Sequence, residues 1–137
     1  MTRAMKTIYF AHDLQQSPTP RIQVLEMAGF RVKVLKSSQE LMTALREELP
    51  NLVLLDALVE GKNGFEATLE IHQTYPDRRF PILLCSAIYR TRQYREEARR
   101  CGAEDFLLLP IDQAELLAKV AQAITRFVPG KRDIHAA

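Results

Sequence analysis

The chain has 137 residues, enough for one domain, because two domains of half that length would each bury too little apolar surface to fold unaided. Apolar residues make up 47% and charged residues 26%, which excludes a disordered chain. A net charge of +2 is too mild to imply nucleic-acid binding, and no apolar run approaches the roughly 20 residues of a membrane span. The N-terminus MTRAMKTIYF lacks the apolar core and cleavage site of a secretory signal. Cys85 and Cys101 form neither a CxxC nor a zinc pattern, so a reducing cytoplasm is the expected compartment.

Short apolar runs alternate with amphipathic segments along the whole chain. Lys6 to Ala11 reads as the first strand. Ser17-Pro18 then caps and opens a helix that Gly29 ends. The second strand is Arg31 to Leu35, followed by a capping box of Ser37 with Glu40 and the apolar stripe Leu41, Leu45 and Leu49. Leu52 to Asp56 is the third strand, and the helix after it runs from about Gly64 to Tyr75 with Phe65, Leu69 and His72 on one face. Ile82 to Ser86 is the fourth, followed by a helix from Arg92 to Cys101 that stops at Gly102. Phe106 to Leu109 is the fifth. Asp112 and Glu115 then cap the longest helix, which carries Leu116, Leu117, Val120 and Ile124. Near-continuous hydrophobicity in LVLLD and ILLCS suits strands covered on both faces. The order predicts an α/β fold, a doubly wound five-stranded parallel sheet with right-handed crossovers and helices on both faces. Residues 1–128 form the expected domain, and the last nine, PGKRDIHAA, read as a tail or a cut linker.

Ligands of open α/β sheets bind beyond the carboxyl ends of the strands. Those ends carry His12-Asp13, Asp56, Ser86 and Leu109-Pro110. Two carboxylates from different strands converging in one crevice suit a hard divalent cation such as magnesium. A hydroxyl on the next strand is placed to hydrogen-bond an anion held by that cation.

These residues resemble the receiver domain of two-component response regulators over nearly all of Lys6 to Phe127. NLVLLDALVEGKNGFE looks like the phosphoacceptor strand and its loop, PILLCSA like the fourth strand, and GAEDFLLLPIDQAELLAKV like the fifth strand and last helix. The resemblance implies the flavodoxin-like strand order 2-1-3-4-5. It makes Asp56 the phosphoacceptor, and Asp13, Asp56 and the Leu58 carbonyl the ligands of a weakly held Mg2+, with Mn2+ as a substitute. Ser86 and Phe106 fall at the switch positions. It also implies a histidine kinase or phosphotransfer protein as phosphoryl source, and an output protein or effector domain. Docking or homodimerisation would use the surface from the fourth to the fifth helix.

Two motif positions depart. The acidic pair after the first strand is His12-Asp13, and the Lys before the last Pro is Leu109. Leu has no donor and no charge to offer a phosphoryl group. Protonated His12 lying against Asp13 and Asp56 is one way to replace the lost charge, although burial opposes protonation. Both departures favour the alternative of a pseudo-receiver that binds proteins without phosphorylation. An enzyme on the same fold is not expected, since there is no Gly-rich phosphate loop and no Ser/His/Asp or Cys/His motif. Arg92, Arg95 and Arg99 share a helical face that suits an acidic partner; Glu96 and Glu97 interrupt it, and nucleic acid is not the expected ligand.

Overall fold

A computed structural model describes residues 5–129. The tail reading for 129–137 therefore lies almost wholly outside the described residues. Five strands, β1 (Thr7–Ala11), β2 (Arg31–Leu35), β3 (Leu52–Asp56), β4 (Ile82–Ser86) and β5 (Asp105–Leu108), pair in parallel in the order β2-β1-β3-β4-β5. Helices α1 (Thr19–Met27), α2 (Ser38–Glu47), α3 (Gly64–Thr74), α4 (Arg92–Cys101) and α5 (Gln113–Arg126) make the crossovers. The doubly wound sheet expected from the alternation is found, in the flavodoxin-like order that the resemblance implied.

Strand alternation divides the core into two layers. Ile8, Phe10, Leu52, Leu54, Leu83, Cys85, Leu107 and Leu109 pack with Leu25 of α1 and with Leu116 and Val120 of α5. Tyr9, Ala11, Val53, Leu55, Leu84 and Phe106 face the other way, toward Leu41 and Leu45 of α2 and Ala67 and Ile71 of α3. Asp56 follows Leu52 and Leu54 at two-residue spacing, so its side chain emerges on the α1 and α5 side. That placement decides the chemistry of the strand ends.

The capping residues read from the sequence hold two helix starts. Ser37 Oγ accepts from the Glu40 amide at 3.0 Å, and Asp112 Oδ2 accepts from the amides of Ala114 and Glu115. Other local expectations are corrected. α1 begins at Thr19 with Pro18 at its N-cap and no side-chain cap, so Ser17 does not serve there. The buried stripe of α3 is Gly64, Ala67, Thr68 and Ile71, while Leu69 is exposed, because the helix packs its small residues closest to the sheet. Leu49 lies beyond the end of α2 and is half exposed. β5 starts one residue early, at Asp105, and ends at Leu108, leaving Leu109 in the following loop.

Gly64 fixes how closely α3 approaches the end of β3. A Cβ there would stand 2.6 Å from the Asp56 carbonyl oxygen and 2.8 Å from Ala57 Cα, and backbone cannot step aside cheaply. Gly64→Ala is therefore expected to cost about 1–3 kcal/mol, the usual range for overpacking. A fall in urea midpoint with an unchanged slope checks it.

Candidate functional site at the strand ends

Asp56 closes β3 as a buried carboxylate, 2% exposed, and a buried charge must be paired. Its partner comes from α1. Arg21 Nη1 donates to Asp56 Oδ1 at 2.7 Å and Nη2 donates to Oδ2 at 2.9 Å, a two-pronged ion pair. The Asp13 amide adds a third donor, to Oδ2 at 2.8 Å. Arg21 is itself 8% exposed, and its guanidinium lies over the ring of Phe10, 4.5 Å from the centroid. Burial alone would lower the Arg21 pKa; the hydrogen bonds and charge of Asp56 outweigh it and raise it further, so the side chain stays a cation.

The pairing follows from the fold. Arg21 and Leu25 are the two buried residues of α1, one helical turn apart, and that stripe faces the layer containing Phe10 and Leu54. A cation in the first turn of a helix opposes the helix dipole, and Asp56 offsets that cost. The sequence reading missed Arg21. The only hint was its spacing of four from Leu25, which by itself does not tell a buried Arg from an exposed one.

Asp13, Asp56, Leu58, Ser86 and Leu109 do meet, around one narrow crevice. His12 and Phe106 do not line it. His12 points with Phe10 to the α1 side, their rings 5.8 Å apart, and its Nδ1 lies 3.1 Å from the Asp13 carbonyl oxygen. The idea of His12 as the replacement cation is thus corrected: the compensating charge is Arg21, which reaches both Asp56 oxygens. Phe106 is buried in the opposite layer, 5.9 Å from Phe65, within an aromatic group completed by Tyr89 and Tyr94. Leu109 turns its side chain into the apolar layer with Leu107, Leu116 and Val120. Its backbone is held at both ends: its amide donates to the Ser86 carbonyl at 2.9 Å, and its carbonyl accepts from Arg90 Nη1 at 2.6 Å. Ser86 Oγ accepts from the amides of Ile88 and Tyr89, fixing the turn that leads to α4.

The magnesium expectation does not fit this arrangement. Magnesium requires oxygens at about 2.0–2.1 Å and retains several waters. Both Asp56 oxygens already accept from a guanidinium, and Asp13 Oδ1 accepts from the Gln15 amide at 2.8 Å. The remaining crevice, about 10 Å³, has room for roughly one water. A second cation there would also be repelled by Arg21.

The family description "Response regulator receiver domain" matches residues 15–121. Among curated relatives, the phosphate regulon transcriptional regulatory protein PhoB of Rhizobium meliloti is 30% identical over 105 residues, covering 77% of this chain and 46% of that protein. Protein PilH of Pseudomonas aeruginosa is 26% identical, covering 78% of this chain and 90% of its own. The chain thus spans about half of PhoB, and 17% of the response regulator PleD of Caulobacter vibrioides. A CheY-like response regulator receiver domain from Methanospirillum hungatei has the same fold, with a TM-score of 0.79 at 20% identity over 89% of this chain and 95% of that one. The receiver domain of NtrX from Brucella abortus gives 0.77 at 20% identity, over 88% and 99%.

Removing one partner of a buried ion pair strands the other. Arg21→Met and Asp56→Leu should each cost about 3–5 kcal/mol, and the double variant much less than their sum. Denaturant unfolding of the four proteins measures that coupling. The thiol beside the pair gives a second expectation. Burial, then the negative charge of Asp56, push Cys85 from 9.0 to about 12. Its contribution to stability is full below pH 9 and is lost as pH rises from 9 toward 12, where the unfolded thiol ionises and the folded one does not. Unfolding curves of Cys85→Ala should therefore fall less steeply across that window, and the native thiol should resist alkylation at neutral pH.

Proposed function

This chain belongs to the response-regulator receiver family, and we propose that within it the domain is a protein-docking module that works without a phosphoryl group on Asp56. The observation that carries the reading is the two-pronged pair of Arg21 with Asp56. Acyl phosphate formation needs a carboxylate oxygen free to attack phosphorus and a cation to neutralise the transferring group. Here three N–H donors hold the carboxylate in a crevice too small for a phosphoryl group. At the place of the family's Lys, Leu109 offers only apolar surface and a carbonyl taken by Arg90.

The partner surface runs over α4, β5 and α5, joining exposed Ile88 and Tyr94 to the arginines of α4. Arg92, Arg95 and Arg99 line one groove with Asp105 and Phe106, a surface suited to a protein with an acidic, partly apolar face. A second copy of the chain is the other occupant this surface suits, and the cytoplasm is the compartment we assign. The rival reading keeps Asp56 as phosphoacceptor for a histidine kinase or phosphotransfer protein. It is favoured by the place of Asp56 at the strand end, beside Ser86, and it requires Arg21 to swing out first.

Incubation with a small-molecule phosphodonor separates the two. Wild type should carry no hydroxylamine-sensitive label, and beryllofluoride should leave the amide signals from Asp105 to Leu117 in place. Leu109→Lys alone should not restore either response, because Arg21 still holds Asp56. Label on wild type that disappears in Asp56→Asn would establish the rival.

A further inference from the structure

Both oxygens that Asp56 could offer a divalent ion are taken by the chain's own guanidinium. Arg21 reaches it from α1 at 2.7 and 2.9 Å, supported from below by the Phe10 ring. Both members of the pair are buried, so bulk water screens their interaction weakly. We infer that Arg21 is a built-in cation that closes this crevice to divalent metals, and is therefore the residue deciding its ion specificity.

Charge and reach both follow from that one side chain. Asp13 and Asp56 bring two carboxylates to the crevice, and Gln16, Leu58, Ser86 and Leu109, which line it with them, are all neutral. Arg21 is then the charge that balances Asp56 in place of a metal. Its planar fork satisfies both oxygens in the orientation that a point charge would otherwise have to hold. Remove the guanidinium and the buried Asp56 carboxylate loses its cation, at a crevice whose lining also includes Asp13. Hard oxygen donors with excess negative charge are what a divalent cation binds. The inference rests on the same ion pair as the docking-module reading but concerns metal, not phosphate.

Manganese, alone, is the probe. In wild type, millimolar manganese should broaden no amide signals selectively around Asp13, Ala57 and Ala87. In Arg21→Met it should broaden them, with an apparent affinity at least about tenfold tighter than in wild type. Adding Asp56→Asn to that variant should abolish the effect. The melting temperature of Arg21→Met should rise with manganese while that of wild type does not, because only the variant binds the ion in its folded state. If Arg21→Met folds only when manganese is present, metal-dependent folding is itself the expected result. Equal broadening in wild type and Arg21→Met overturns the inference, as does none in either, or a variant that stays unfolded in millimolar manganese. The two readings fail separately: a phosphodonor label on wild type Asp56 without selective manganese broadening removes the docking module and leaves Arg21 as the metal-excluding residue.

Discussion

The ion pair between Arg21 and Asp56 is the constraint around which the strand ends are arranged. A carboxylate at the end of a fully covered strand cannot be solvated by bulk water, so the fold has to bring a cation to it. The cation is covalently part of α1, and that choice has mechanical consequences. It ties the first helix to the central strand across Phe10, and it draws the Asp13 amide onto the same carboxylate. Pairs of this kind add little net stability over an apolar alternative, yet they are costly to break, so they fix geometry more than they strengthen the fold.

With the charge settled on the α1 side, the opposite rim of the crevice has become apolar and is tied by backbone hydrogen bonds. Leu109 completes the layer formed by Leu107, Leu116 and Val120. The side chains of Arg90 and Ser86 fix the loops after β5 and β4 by bonding their main-chain atoms. Phe106, Phe65, Tyr89 and Tyr94 continue that connection into α4. The crevice and the α4 surface are thus joined by packed groups, whether or not a phosphoryl group ever reaches Asp56. A surface held in this way can present one arrangement to a partner continuously.

The helix in that surface is unusual in what it lacks. α4 buries only Ala98 and Cys101, and its remaining positions are polar or aromatic. Arg92, Arg95 and Arg100 form ion pairs with Glu96, Asp105 and Glu97 at 3.5–3.8 Å, on exposed side chains apart from the partly exposed Asp105. Exposed pairs of this kind are weak and exchangeable, so the arginines remain accessible to a partner's carboxylates.

Much of the architecture was legible in the amino-acid order. Buried parallel strands are continuous apolar runs, so β3 and β4 could be bounded to the residue from LVLLD and ILLCS. The mostly exposed edge strand β2 matched its expected bounds through the alternation in RVKVL. The capping residues Ser37 and Asp112 act within four residues of themselves, and local signals of that kind survive into the fold. Asp13, Asp56, Ser86 and Leu109 could be placed together because parallel topology collects strand ends on one side, and Leu58 was added by the family resemblance alone. What the sequence could not decide was which side chain satisfies Asp56. Arg21 is 35 positions away, on a helix with almost no amphipathic signal, and an Arg in such a helix reads as surface. Only the tertiary packing of α1 against β1 and β3 turns that Arg inward. The occupant of a buried charge site is set by distance in space, to which a one-dimensional pattern of polarity is blind.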